Sequence, residues 1–206
     1  MAAGGVAGGK TVAAQQGAWL CFEDEAGQTL RPPKARTWSR RGQTPQIPVS
    51  GKGSGRVSIA GLVCVRPGHR PRLIYRVRTH RGRKGERRSF AETDYAALLD
   101  AAHQQLGAPI VLIWDNLNTH ISHAMRKLVA VRDWLHVIQL PPYAPDLNPT
   151  EHVWSHVKLT LGNLIVHGID QLAAIVKNRL KRIQYRPGLI DAFFAHTGLN
   201  LEPQPP

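Results

Sequence analysis

The sequence is short of acid. Only 14 Asp and Glu face 27 Lys and Arg, giving a formal charge of +13 and a pI near 10.6. That balance argues against a cationic partner and points to a polyanion, nucleic acid first. Cysteine is nearly missing as well. Cys21 and Cys64 sit in apolar runs with no Cys or His at zinc spacing, which excludes a disulfide scaffold and leaves them as core thiols of a reducing compartment. No apolar run approaches the roughly 20 residues of a membrane span. The N-terminus also lacks the charged-then-apolar order of a signal peptide, so an intracellular protein is expected.

What is present suffices for one domain: 206 residues, 42% of them hydrophobic, support a single core and leave little room for a second. The positive charge is concentrated. Between Arg31 and Arg88 stand 17 Lys and Arg and one acid, Glu86, a net +16 that leaves the rest of the chain slightly negative. A solvated basic face with no fixed partner would also account for such a run, but charge this dense reads as an electrostatic footprint.

Residues 1–18 are small and Gly-rich and read as a flexible leader, and 201–206 as a tail around a domain over 19–200. The leader holds "GGVAGGKT", Gly4 to Thr11, which satisfies the phosphate-loop pattern but lacks the buried strand from which such a loop must spring. Nucleotide binding is therefore set aside. Beyond it, "WLCFEDE" reads as a strand and "QTPQIPVS" as a Pro-broken connection. Residues 56–65 and 70–80 form a hairpin around Pro67-Gly68. A helix runs over 89–107 with Ser89 as N-cap and Gly107 as its stop. "PIVLIWD" has the continuous apolar character of a strand buried on both faces. A helix over 119–133, a strand over 134–140 and helices near 148–161, 169–184 and 188–197 complete a mixed α/β order.

Three acids stand out. Period-two alternation puts Asp24 on the face of Leu20 and Phe22, where a carboxylate is costly unless something positive compensates it; an exposed acid at a strand end is the plain alternative. Asp115 follows five apolar residues, Ile110 to Trp114, at the strand end where open α/β sheets place ligands, although Asp-Asn turn chemistry would also explain it. In "YAPDLNPTEHVW", Asn148, Pro149 and Glu151 fit N-cap, N1 and N3 of a helix, so Glu151 has a capping-box role open to it. Asp146 reads as the builder of an Asx turn before that helix. Three carboxylates without thiolate suit a hard cation such as Mg²⁺. A pair of such ions would serve in-line displacement at phosphorus. His152 and His156, at i and i+4, invite a zinc reading that lacks a third ligand.

"FEDEAG", "IWDNLNTH" and "LPPYAPDLNPTEHVWSHVK", with "TWSRRGQTP" at 37–45, resemble the catalytic domain of DDE transposases of bacterial insertion sequences related to mariner elements. The resemblance implies a ribonuclease H-like fold, a mixed five-stranded sheet flanked by helices. It also implies an Asp-Asp-Glu triad on Asp24, Asp115 and Glu151 that holds two Mg²⁺ ions, with Mn²⁺ able to substitute. The 35 residues between Asp115 and Glu151 are close to the family's usual interval. The activity implied is DNA strand cleavage and strand transfer in transposition, in the cytoplasm and nucleoid of a bacterium. Arg40, Arg41, Arg83, Lys84, His120 and Lys158 are the expected DNA contacts. Element ends and target DNA are the expected substrates, in a homodimer or larger synaptic complex. Family members usually carry an N-terminal helix-turn-helix region, and the Gly/Ala leader in its place suggests a separately encoded recognition domain. A DNA-binding remnant without chemistry and a stand-alone structure-selective nuclease are the competing readings.

Overall fold

The computed structural model describes residues 4–34, 38–43, 46, 55–142 and 144–201, with side chains from residue 8 onward. The tail over 202–206 and most of the connection over 43–50 lie outside the described residues, as do Thr37, Thr44 and Pro45 of "TWSRRGQTP". Five strands, β1 (Trp19–Thr29), β2 (Arg56–Val65), β3 (Arg72–His80), β4 (Ile110–Trp114) and β5 (Leu135–Gln139), form one sheet in the order β3-β2-β1-β4-β5. β1, β2 and β3 are antiparallel; β4 and β5 run parallel to β1. The expected mixed five-stranded sheet is thus present.

Six helices cover it: α1 (Gly4–Gln16), α2 (Glu92–Leu106), α3 (His123–Ala130), α4 (Pro149–Thr160), α5 (Ile169–Gln184) and α6 (Pro187–His196). Because successive strand residues point to opposite faces, β1 feeds two cores. Leu20 and Phe22 join Ile59, Val111 and Ile113 beneath α4, α5 and α6, while Cys21 joins Leu62, Leu112 and Trp114 on the side of α2 and α3. Cys21 and Cys64 are opposite one another across β1 and β2, fully buried and unbridged. Burial pushes the Cys21 thiol well up, so it is inert.

Several local expectations change. Gly4–Gln16 is a helix, not a flexible leader, and packs on β4, β1 and β5 with Ala13 buried. Gly9 permits this approach: a Cβ there would come 2.8 Å from Ile138 Cδ1. The phosphate-loop look-alike lies wholly inside this helix. The N-cap of α2 is Ala91, whose N–H donates to Asp94 Oδ2 at 2.9 Å, whereas Ser89 is engaged elsewhere. Gly107 does stop that helix, in the left-handed region at φ 63°. α3 begins late, at the Ser122 cap.

Candidate active site

β1 outruns β4. Their parallel register pairs Phe22 with Ile113, and continuing it by two residues brings Asp24 beside Asp115. Sequence-distant acids therefore become neighbours because one strand is long and the other ends in a polar turn.

Glu151 arrives on α4, and the start of α4 is fastened to β1. Asn148 caps the helix by accepting from Thr150 N at 3.0 Å, and its Nδ2 donates to Glu23 O at 2.8 Å. Thr150 Oγ1 donates to Phe22 O at 2.7 Å. Asn148 and Thr150 are buried, so these bonds replace water that β1 cannot reach. The capping-box alternative for Glu151 falls away, since the Asn148 N–H is taken by Pro145 O at 2.9 Å. Its carboxylate is left to face the cleft. Asp146 is exposed in the 3-10 turn Pro145–Leu147, which is closed by main-chain bonds rather than by an Asx turn.

Asp24, Asp115 and Glu151 line one open cleft of about 400 Å³, walled by Asn116, Pro142 and Pro145. Asp24 is anchored at both oxygens, by Glu25 N (2.8 Å) and by the indole of Trp154 (3.0 Å). Burial first, then the charge of Glu151, raises its carboxyl to about 7. Asp115 moves the other way: the bond from His120, helped by Leu117 N, holds it below the usual range. Asn116 Nδ2 ties the same loop to Leu140 O at 2.9 Å.

A second cleft of about 480 Å³ is lined by the same two aspartates. Arg56 and Asn118 line it, with Glu25, whose oxygens accept from Ser89 Oγ and from Tyr95 OH at 2.7 Å. Arg56 lies across Gly27, where a Cβ would meet its guanidinium, and donates to Ser58.

The expected DNA contacts divide. Arg40, Arg41, Arg83, Lys84 and Lys158 are exposed. Among the basic stretch, Arg78 and Arg87 pair with Asp94, and Arg81 with Asp170. His120 is a correction: its ring is buried, stacked on Trp114 at 4.3 Å and bonded to Asp115 at 2.8 Å, so although it borders the second cleft its Nδ1 is committed to a carboxylate rather than offered to a phosphate. Sequence reasoning missed Glu23, Ser89 and Tyr95; only period-two parity, which sets Glu23 with Cys21, hinted that an acid was heading into a core.

The zinc reading finds no support, since His152 and His156 sit against His196 and Phe193. Among the described residues no three His, Cys, Asp or Glu side chains close on one point at ligand distance. The three carboxylates line their cleft more loosely. Their donor set is all oxygen and their mutual repulsion is what a hard cation relieves, so these residues fit such an ion.

A family profile described as DDE superfamily endonuclease matches residues 19–173. This chain belongs to that family. No curated protein matches the sequence. Among solved structures, the mariner Mos1 paired-end complex with Mg is similar at 15% identity and a TM-score of 0.60, covering 87% of this chain and 53% of that one. The Mos1 transposase paired-end complex with left transposon end matches at 14% identity and a TM-score of 0.56, over 89% and 56%. A third, the Mos1 mariner complex with Mn, gives 15%, 0.52, 89% and 56%. The DDE chain thus spans little more than half the length of these structures, and shares with them the ribonuclease H-like fold.

Proposed function

We propose that this DDE endonuclease domain cleaves DNA strands and transfers them during transposition, with divalent metal as cofactor. The observation that carries the reading is the convergence of Asp24, Asp115 and Glu151, from two adjacent strand ends and a helix fastened to the first of them, in one open cleft. Asp24, Asp115 and Glu151 would hold two Mg²⁺ or Mn²⁺ ions, which supply activation of an attacking oxygen and stabilisation of a leaving one.

The chain's own residues do the rest. Trp154 and the Glu25 amide fix the Asp24 carboxylate; Pro142 and Pro145 shape the wall past which a strand enters. Arg56 offers a guanidinium to a phosphate in the second cleft, and Arg40, Arg41, Arg83, Lys84 and Lys158 neutralise backbone at longer reach. Two clefts that share an aspartate pair offer room for an entering and a leaving strand, as in-line displacement at phosphorus requires. Two copies would pair two DNA ends. A bacterial nucleoid is the corresponding location. Among the described residues no helix is long and apolar enough to cross a membrane.

The test is nicking of supercoiled plasmid in Mg²⁺ or Mn²⁺ beside Asp115→Asn. Metal-dependent nicking that falls by a factor on the order of 10³ in the variant, with DNA binding retained, is the expected result. Equal nicking by both proteins overturns the assignment. Binding without nicking by either favours the non-catalytic remnant.

A further inference from the structure

Glu23 is the least comfortable residue in the protein. It is 1% exposed on the face of β1 that packs against α2 and α3, and among the described residues neither of its carboxyl oxygens has a hydrogen-bond partner. Burial first, and then the negative charges of Asp24, Asp115 and Glu25, push its carboxyl well above the usual range. The packing of the sheet does not need an acid there. A leucine would fill the position at lower cost.

What Glu23 does have is His120. Glu23 Oε2 lies 3.3 Å from His120 Nε2, inside ion-pair reach but off-axis for a hydrogen bond. A small turn of the carboxyl would align them. On the other side of the ring, His120 Nδ1 is 2.8 Å from Asp115 Oδ1. An ionised carboxylate only accepts, so Nδ1 carries the proton and donates. The ring is gripped on its flat sides too, stacked on Trp114 at 3° and met edge-on by Tyr95 at 4.9 Å. Tyr95 in turn donates to Glu25. Asp115 itself stands in a polar turn and is half-exposed, its side chain 55% accessible, and besides this chain of contacts only the Leu117 N–H, on the same Oδ1 at 3.0 Å, holds its carboxylate among the described residues.

We propose that Glu23 is a positioning residue that acts through His120 to fix the orientation of Asp115. The arrangement runs Glu23, His120, Asp115 from the core outward. It occupies Oδ1 of Asp115 with the ring N–H and leaves Oδ2 available to the cleft that Asp115 lines. The proposal rests on the metal-binding part of the proposed function. Groups that orient a ligand from behind contribute to affinity without touching the ion.

The experiment measures Mn²⁺ binding to the full chain by electron paramagnetic resonance, alongside thermal melting and plasmid nicking. His120→Phe keeps the stacking on Trp114 and loses both nitrogens; His120→Asn restores a donor near the Nδ1 position. Glu23→Leu removes the buried acid, and Glu23→Gln keeps a polar partner for Nε2. His120→Phe and Glu23→Leu are expected to weaken Mn²⁺ by roughly tenfold or more, with Glu23→Leu melting at or above the parent temperature. The Asn and Gln variants should recover most of the affinity. A purely structural Glu23 would move the melting temperature and leave Mn²⁺ alone. If Mn²⁺ affinity is unchanged in both His120→Phe and Glu23→Leu, or in Glu23→Leu alone, Glu23 does not position Asp115. Should Glu23→Leu fail to fold, Glu23→Met, which also removes the acid, is read in its place with the same two outcomes. Mn²⁺ binding without nicking by the parent protein overturns the function and not the positioning role. A parent that binds no Mn²⁺ overturns both.

Discussion

The indole N–H of Trp154 donates to Asp24 Oδ2 at 3.0 Å, and the far edge of the same indole rests on Gly61, the cross-strand partner of Asp24. One buried side chain thus touches the candidate metal ligand with its polar edge and β2 with its apolar one. Trp154→Phe keeps most of the packing and removes the donor. Nicking should fall about tenfold, while DNA affinity stays as it was; a lost bond to a charged acceptor is worth about 1.5–3 kcal/mol. Parallel rate and binding measurements check this.

Gly61 sets the space in which that indole sits. A Cβ at Gly61 would come 2.8 Å from Trp154 Cη2, and the ring is too tightly packed to yield. Gly61→Ala should destabilise the fold by about 1–3 kcal/mol through overpacking and impair nicking together with stability. A denaturant titration reads the first effect and the plasmid assay the second.

Repulsion within the triad gives a different signature. Asp24 is crowded by Glu151 and Asp115, so Glu151→Gln, which leaves both acceptors of Asp24 in place, should melt higher than the parent in chelator. Adding Mg²⁺ should reverse the order, because an ion bound at 100 times its dissociation constant stabilises by about 2.7 kcal/mol and the variant forfeits most of that. Melting curves with and without Mg²⁺ test both halves.

Asn148 and Thr150 hold the start of α4 to the carbonyls of Phe22 and Glu23. Thr150→Val leaves the Phe22 carbonyl buried without its donor and should cost about 1–3 kcal/mol. Because Glu151 is the next residue, metal-dependent nicking should fall further than the stability loss explains at temperatures well below the melting point.

Arg132 grips Asp100 with two bonds of 2.7 Å, linking α2 to the end of α3. The Arg132 bond lowers the Asp100 carboxyl below its ordinary 3.8. A depressed carboxylate contributes stability above its unfolded value and loses it as pH falls through the folded one. With Asp100 45% exposed, the contribution is about 0.5–1 kcal/mol after solvent screening. Urea titrations should show Asp100→Asn less stable by a constant amount from pH 8 to 5, with the difference shrinking as pH falls below 3.8 and vanishing once it has passed through the folded carboxyl's lower value.

Some of this was legible in the residues. The continuous apolar run before Asp115 read as a strand buried on both faces and is one, and the left-handed glycine at 107 ended its helix as expected. Alternation along "WLCFEDE" put Asp24 on the correct face. What it could not give was partnership across the sheet. Ser89 looks like an N-cap until Glu25, 64 residues earlier, claims its hydroxyl. His120 looks like a surface histidine until the turn after β4 folds it beneath Trp114. α1 was hidden because two glycines in its middle lower helix propensity, and only the sheet beneath supplies the reason for Gly9.

Among the described residues β3 has no strand beyond it, although Gln184 donates to Leu73 O there, and Arg72 and Arg76 stand exposed along it, with Arg78 half-buried further along the strand. An unpaired strand is a template on which a second chain can build. Lined with guanidinium groups, this one repels its own copy while remaining open to a polyphosphate. The same arginines that would attract nucleic acid therefore also discourage the protein from polymerising edge to edge, and a charge-removing change there would put solubility at risk before it altered chemistry.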